Sequence, residues 1–398
     1  MASLYQSSGN ARKIILGLLV LAVLIIAWDT INRARNITPT TPTTPRFYMN
    51  PDETVLGEAS TLPEISIDSI TLQSGTTPSY SRINAIPVNL PDVSYVYEIE
   101  QPRNKINTFE DAVSVGQILG FERSDLTSSE SDILMNWISD DETKSLSYDR
   151  SKYIWKLDTV YEDNLEARRN KSINSNTQTY GSRVKSLISR LGFNSDGLSE
   201  GSANVRLAYL GPLGTFVQTE DPLEAEYVAI DVFRRLDFAD VKPQSQQPEL
   251  QRGQVRPENE DGLVYTDDPR VGQFSLIASN DLSNFSIDIF ELNFTDFIFT
   301  GRKGKYFIIS FEEAFTKMQR QEGSLVSLTT RDFNSFLPYP TNSVKKFTVD
   351  SSKTELGFYE PREWNGYITP IFIFYGTAEM TNGELANFIY FVDALKRN

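Results

Sequence analysis

Apolar and polar positions alternate in three different ways along this chain. From Ile14 to Trp28 every residue is uncharged, and Leu, Ile and Val dominate. Carried on through Ile31, the run is about 18 residues long, close to the length an α-helix needs to cross the hydrocarbon of a bilayer. The pattern predicts a transmembrane anchor over 12–31, behind a cytoplasmic tail, 1–11. The rival, a cleaved signal peptide, lacks a small-residue cleavage site, because the run leaves through Ala27-Trp28-Asp29. Arg12 and Lys13 on the N-terminal flank predict a cytoplasmic N-terminus and an extracytoplasmic main domain. A Thr/Pro tract follows, with Pro39, Pro42 and Pro45. Pro at that density favours extended polyproline II, so 32–84 reads as a spacer and loosely packed lead-in.

From Ala85 the pattern becomes globular. Val93 to Ile99, Ile133 to Ile138, Tyr153 to Leu157, Val205 to Leu210 and Tyr227 to Phe233 are short, β-branched and aromatic runs that read as strands. Asp140 to Ser145 reads as the polar turn between two of them. Thr108 to Leu119 has an N-cap, acids in its first turn and apolar residues at helical spacing, with Gly120 where a helix ends. Gly181 to Leu191 repeats that form, and both helices end Leu-Gly-Phe. The expected fold class is therefore α+β: the single transmembrane helix, then tandem modules of short helix plus antiparallel β-meander over 85–241.

Residues 242–260 are rich in Pro, Gln and Arg and read as a linker, leaving 261–398 as a C-terminal α+β module. Within it, Phe285 to Phe290 and Phe294 to Phe299 read as strands and Gly301 to Gly304 as a turn. Ser310 and Glu313 stand at capping-box spacing before a helix that runs to Arg320. Pro370, inside Tyr367 to Gly376, predicts an edge strand or a strand start.

The tail, LGFYE from Leu356, YITPIFIFYGTAE from Tyr367 and FIYFVDAL from Phe388, resembles the C-terminal part of YycH/YycI-type extracytoplasmic regulators of two-component sensor kinases. The helix-plus-meander units resemble PepSY-type modules. The resemblance covers about 305–394 and implies a non-enzymatic regulator, with no catalytic residue to carry over.

Net charge is −15, and Arg12 with Lys13 leaves −17 for the chain beyond residue 28. Such a surface repels nucleic acid, so none is expected as a partner. There is no Cys and no His. That removes disulfides, thiolate chemistry, Ser-His-Asp and Cys-His nucleophiles and His-ligated zinc. Carboxylate pairs stay open. Asn194 to Glu200 has the oxygen-rich look of a Ca²⁺ loop, without EF-hand spacing, and reads as a solvated connection. Asp140-Asp141-Glu142 and Asp267-Asp268 read as surface turns, and Glu312 and Glu313 as helix-start acids.

Trp137, Trp155 and Trp364 offer a binding face for sugar or peptide, but core filling is the plainer reading. Gly301 to Lys305 is basic and reads as a hairpin tip. Four sequons begin at Asn36, Asn170, Asn284 and Asn293. The sequence therefore predicts no catalytic, cofactor or metal residue and no cofactor. It predicts a membrane-anchored, non-enzymatic regulatory or adaptor protein acting on an unidentified protein partner. A cell-wall or glycan-binding module is the alternative, and a carboxylate hydrolase a more distant one.

Overall fold

The computed structural model describes residues 56–72, 77–87, 90–100, 109–130, 132–152, 154–160, 177–192, 197–198, 200–212, 214–238, 261–279, 289–295, 297–331, 333–339, 343–362 and 364–397. Strands β1 (Ser79–Ile83) and β2 (Val93–Glu100) precede helix α1 (Phe109–Ile118). Next come β3 (Leu134–Ile138), β4 (Lys144–Asp149), β5 (Ile154–Thr159) and helix α2 (Thr177–Arg190). Four strands follow: β6 (Ser202–Leu210), β7 (Phe216–Thr219), β8 (Tyr227–Phe233) and β9 (Arg235–Asp237). After them lie β10 (Asp261–Tyr265), β11 (Phe274–Ser279), β12 (Ile289–Thr295), β13 (Ile298–Phe307) and helix α3 (Phe311–Gln319). The chain closes with β14 (Ser324–Thr330), β15 (Val344–Asp350), β16 (Glu355–Tyr359), β17 (Tyr367–Met380) and β18 (Leu385–Asp393).

These strands make two sheets. The smaller has eight strands in the order β3-β4-β5-β12-β11-β8-β6-β7, every pair antiparallel. The larger has ten, with β17 at its centre beside β15, β16, β18 and β2. Strand makes up 47% and helix 15% of the structure, so the α+β class is corrected to a mostly β protein. The tandem modules are corrected with it. Helices α1 and α2 lie on the same face of the smaller sheet, Ala112 and Val115 sharing one core with Tyr180, Val184 and Ile188. Their alike endings come from local chemistry, since Gly120 (φ 94°) and Gly192 (φ 78°) each take the left-handed conformation that ends a helix.

The single-pass membrane expectation is corrected too, together with its cytoplasmic N-terminus, extracytoplasmic domain and membrane partner. Among the described residues no helix is long and apolar enough to cross a membrane. The longest, α2, has 14 residues, or about 21 Å at the rise of an α-helix. The run 12–31 and the Thr/Pro tract lie outside the described residues.

Helix α3 shows how local sequence sets the larger sheet's core. Ser310 Oγ accepts from the Glu313 amide, and Glu313 accepts from the Ser310 amide, which closes the capping box. Phe311, Ala314, Phe315 and Met318 recur at i, i+3, i+4 and i+7 and are buried against Phe374 and Phe388. A buried Phe of this kind contributes about 1.5–3 kcal/mol. Strand β17 is buried on both faces: Phe372 and Phe374 meet α3, while Ile371 and Ile373 meet Tyr265 and Phe391. Its sequence is therefore nearly continuously apolar.

Pro370 is not at an edge. On one side of β17, Tyr367 and Ile368 pair with β2, whereas Ile371 onward pairs with β18. The proline falls at the change of neighbour, where no ladder bond needs its missing N–H. Gly301 to Gly304 is not a turn: Thr300 to Arg302 bulge out of β13 between Phe299 and Lys303, and Lys303 and Gly304 pair with Tyr97 and Val96 of β2.

The lead-in is held down. Ile65 and Ile67 pack on one face of the larger sheet, Ile70 and Leu72 on the other, and the Ile70 amide donates to Leu325 O at 2.7 Å. The Arg397 guanidinium donates to the carbonyls of Ala59, Leu62 and Pro63 and pairs with Asp393.

The chain passes repeatedly between the sheets. It leaves the smaller one after β8, pairs β9 and β10 beside β16, and returns as β11 and β12. Arg234 sits at the first of these passages, fully buried, its Nε 3.5 Å from Glu360 Oε2 and its guanidinium carbon 4.7 Å from the Phe299 ring centroid. Gln273, at the next passage, accepts from the Arg234 amide at 2.9 Å and donates to Val264 O at 3.2 Å.

Two outcomes are expected. A fragment of residues 261–398 leaves β11 and β12 without β5 and β8, and exposes their edges. It should aggregate, or fail to unfold in one cooperative transition by circular dichroism, whereas 51–398 should unfold as one unit. Arg234→Met removes the cation beside the buried Glu360 and should cost about 3–5 kcal/mol in urea denaturation. Adding Glu360→Leu should recover most of that loss.

Candidate functional site

The larger sheet's face opposite α3 is only half covered. Phe391, Ile373 and Ile371 are closed over by Ile65, Ile67 and Phe233. Further along the same strands the face is open as a groove of about 380 Å³. Its residues come from β14, β18, β17, β15 and β1, and register places them side by side. Thr329 pairs with Asn387, Asn387 with Thr377, Thr377 with Thr348, and Thr348 with Ser81. Residues directly paired across strands point to the same face. The result is one uncharged row of hydroxyl and amide groups across five strands. Ser81 Oγ and Thr348 Oγ1 are 3.1 Å apart. Thr377 and Asn387 are exposed, Thr329 and Thr348 half-buried.

A second row runs beside the first. Ser327 pairs with Ile389 and Ile389 with Tyr375, while Asp350 pairs with Ile83. Three of these side chains, Ile389, Tyr375 and Ile83, are largely apolar, and Ile83 is 51% exposed. Burial first, then Tyr265 and Glu355, push the Tyr375 phenol far above its ordinary value, so it stays protonated. Between the two rows the backbone is pressed close: a Cβ on Gly376 would run into Thr348 O and the Phe388 ring.

Charge in the groove is confined to Asp350 and Lys353, 3.7 Å apart. Asn84 donates to Asp350 Oδ1 at 2.8 Å, and the Ser352 amide and hydroxyl donate to the same oxygen. These bonds, that from Asn84 foremost, hold the carboxyl below the usual range.

Other carboxylates, one buried and two half-buried, lie elsewhere, each beside a cation. Asp231, with no exposed surface, is 2.6 Å from Arg206 Nη2, and burial pushes its carboxyl up. Asp268 is forked by Arg270, which also donates to Ser335 O and Leu337 O and lies 3.9 Å from the Tyr339 ring centroid. Together with Asn334 donating to Phe216 O, these contacts fasten the 333–339 loop to the smaller sheet. Asp267 takes a short hydrogen bond from the Tyr359 hydroxyl and is 3.3 Å from Arg362 Nε.

The residues singled out in the sequence are dispersed. Trp137 and Trp155 are 1% and 0% exposed, ring centroids 6.1 Å apart, inside the smaller sheet's core, so they offer no binding face. Trp364 is 43% exposed and donates to Ile99 O. Asp141 accepts from Ser139 and Thr143 within its turn. Glu312 pairs with Arg82, and Arg302 of the basic run pairs with Glu98. Of Asn194 to Glu200, residues 194–196 and 199 lie outside the described residues, and Gly197 O accepts from the Arg235 amide. Asn293 is exposed on β12, while Asn36, Asn170 and Asn284 fall outside the described residues. Among the described residues no three acids gather in a metal-binding group.

No family model matches the chain, and no curated protein matches it. Among solved structures it is similar to an uncharacterized protein from Eubacterium rectale ATCC 33656. The TM-score is 0.35 and the identity 13%, over 77% of this chain and 85% of that one. A likeness at that level carries no functional argument, and nothing in these comparisons bears on the YycH/YycI-type resemblance.

Burial is the main cause that raises the Asp267 carboxyl; the Tyr359 hydrogen bond and Arg362 oppose it, while Asp68 and Asp268 add to it. A carboxyl raised in the folded state binds its proton more tightly there than in the unfolded chain, so its contribution to stability falls as pH rises from about 3.9. Asp267→Asn removes this titration. Its stability relative to wild type, from urea denaturation, should increase between pH 4 and pH 7. A flat difference would count against the assignment.

Proposed function

We propose that this chain is a non-enzymatic recognition protein whose contact surface is the open half of the larger sheet's face. The observation that carries the reading is the in-register row Thr329, Asn387, Thr377, Thr348, Ser81. Five neighbouring strands present neutral donors and acceptors at one level, on a rigid sheet. A fixed array of this kind positions a ligand without supplying a general acid or base.

The chemistry of the groove supports holding over turnover. Its one carboxylate, Asp350, is kept ionised and engaged by Asn84, Ser352 and Lys353. Two-carboxylate glycoside hydrolysis needs a second acid within about 10 Å across the scissile bond, and no second acid lines the groove. The regulatory or adaptor role read from the sequence belongs to the same class, action by contact.

Thr377→Arg with Asn387→Arg places two long cations across the row at exposed positions. Thermal unfolding should shift by only a few degrees, as for surface substitutions in a chain of this size. Retention on immobilised ligand, whether polysaccharide or protein, should be lost. Equal retention of wild type and variant would remove the surface from consideration, and conversion of the ligand on long incubation would overturn the non-enzymatic reading.

A further inference from the structure

We infer that the groove takes a neutral, unbranched oligosaccharide, lying across the strands with its hydroxyls on the threonine–asparagine row. The inference rests on the recognition reading above and names its ligand class. Three features of the groove carry it.

The first is charge. The chain holds 53 acidic against 38 basic residues, yet the row itself is uncharged; Lys353 lies beside Asp350, and in the adjoining row Lys346 stands in register with Glu379, which also pairs with Lys345. An anionic ligand meets a repelling protein, and a cationic one finds no free carboxylate in the groove. A neutral polyhydroxy chain meets neither obstacle.

The second is the pairing of chemistries. A pyranose has a hydroxyl-bearing rim and an apolar C–H face. The groove sets hydroxyl and amide groups in one row and Ile389 and Tyr375 in the next. Thr and Asn side chains both donate and accept, as sugar hydroxyls do. Tyr375 contributes the ring and keeps its hydroxyl turned toward Glu355, 3.5 Å away.

The third is pitch. Neighbouring strands stand about 4.8 Å apart, roughly the advance of one sugar unit along an extended β-linked chain, so five strands span about 19 Å. Successive residues of the row can meet successive sugars. A peptide is disfavoured because extended peptides join sheets at a strand edge through backbone bonds, and the groove lies on a face.

The test uses the full chain with cellohexaose and chitohexaose in isothermal titration calorimetry. At least one should bind saturably. Thr348→Val and Thr377→Val, which suit strands and delete one hydroxyl each, should each weaken binding about fivefold, the loss of one hydrogen bond. Lys156→Ala, on the smaller sheet, should leave affinity unchanged. Binding of neither sugar, or equal affinity in the valine variants, overturns the inference. If sugars fail while a protein ligand is retained by wild type and released by the double-arginine variant, the recognition reading stands without its glycan. If nothing is held on that face, both fall.

Discussion

Everything in this fold depends on the chain being able to pass between two sheets without leaving polar backbone stranded in the interior. Arg234 and Gln273 meet that constraint. The Gln273 amide accepts from one passage and donates to another, so a single side chain serves backbone groups of Arg234 and Val264. The Arg234 guanidinium, set against Glu360 and the Phe299 ring, is fully enclosed. A buried ion of this kind adds little net stability compared with a well-packed apolar pair, but it tolerates few alternative geometries. The open groove lies beyond the stretch of the larger sheet's face that Ile65, Ile67 and Phe233 cover.

Much of the local structure was legible. Ser310 and Glu313 announce their helix, and the apolar spacing from Phe311 to Met318 places it on a core. Strands β2, β6, β8, β16 and β18 stand where branched and aromatic residues cluster. The misreadings have identifiable causes. Gly301 looks like part of a turn because a bulge uses the same residue for the same positive φ (78°). Pro370 looks like an edge because sequence does not show that a central strand changes partner at that residue. The two Leu-Gly endings look like a repeat, although helix termination alone accounts for them.

The groove was not legible at all. Thr348 sits between Phe347 and Val349, and that alternation does say it faces away from the core. Nothing local says that it stands level with Thr377, Asn387 and Thr329. That alignment is set by three separate ladders with bulges near Val344 and Leu325, and a one-residue slip in any of them would turn its residue to the opposite face. Trp137 and Trp155 drew attention because of their size, and size is what placed them in the core.

The interleaving of the sheets also bears on how the protein is made. Strand β5 pairs with β12, and β1 with β15, the latter across 266 residues. While the chain is being synthesised, β3 to β8 emerge well before β11 and β12 fill the gap between β5 and β8. The lone β1 waits still longer for its neighbour. Such distant pairings close slowly and leave apolar strands uncovered in the meantime. A strongly acidic chain has an advantage during that interval, because nascent copies on neighbouring ribosomes repel one another until the last strands arrive.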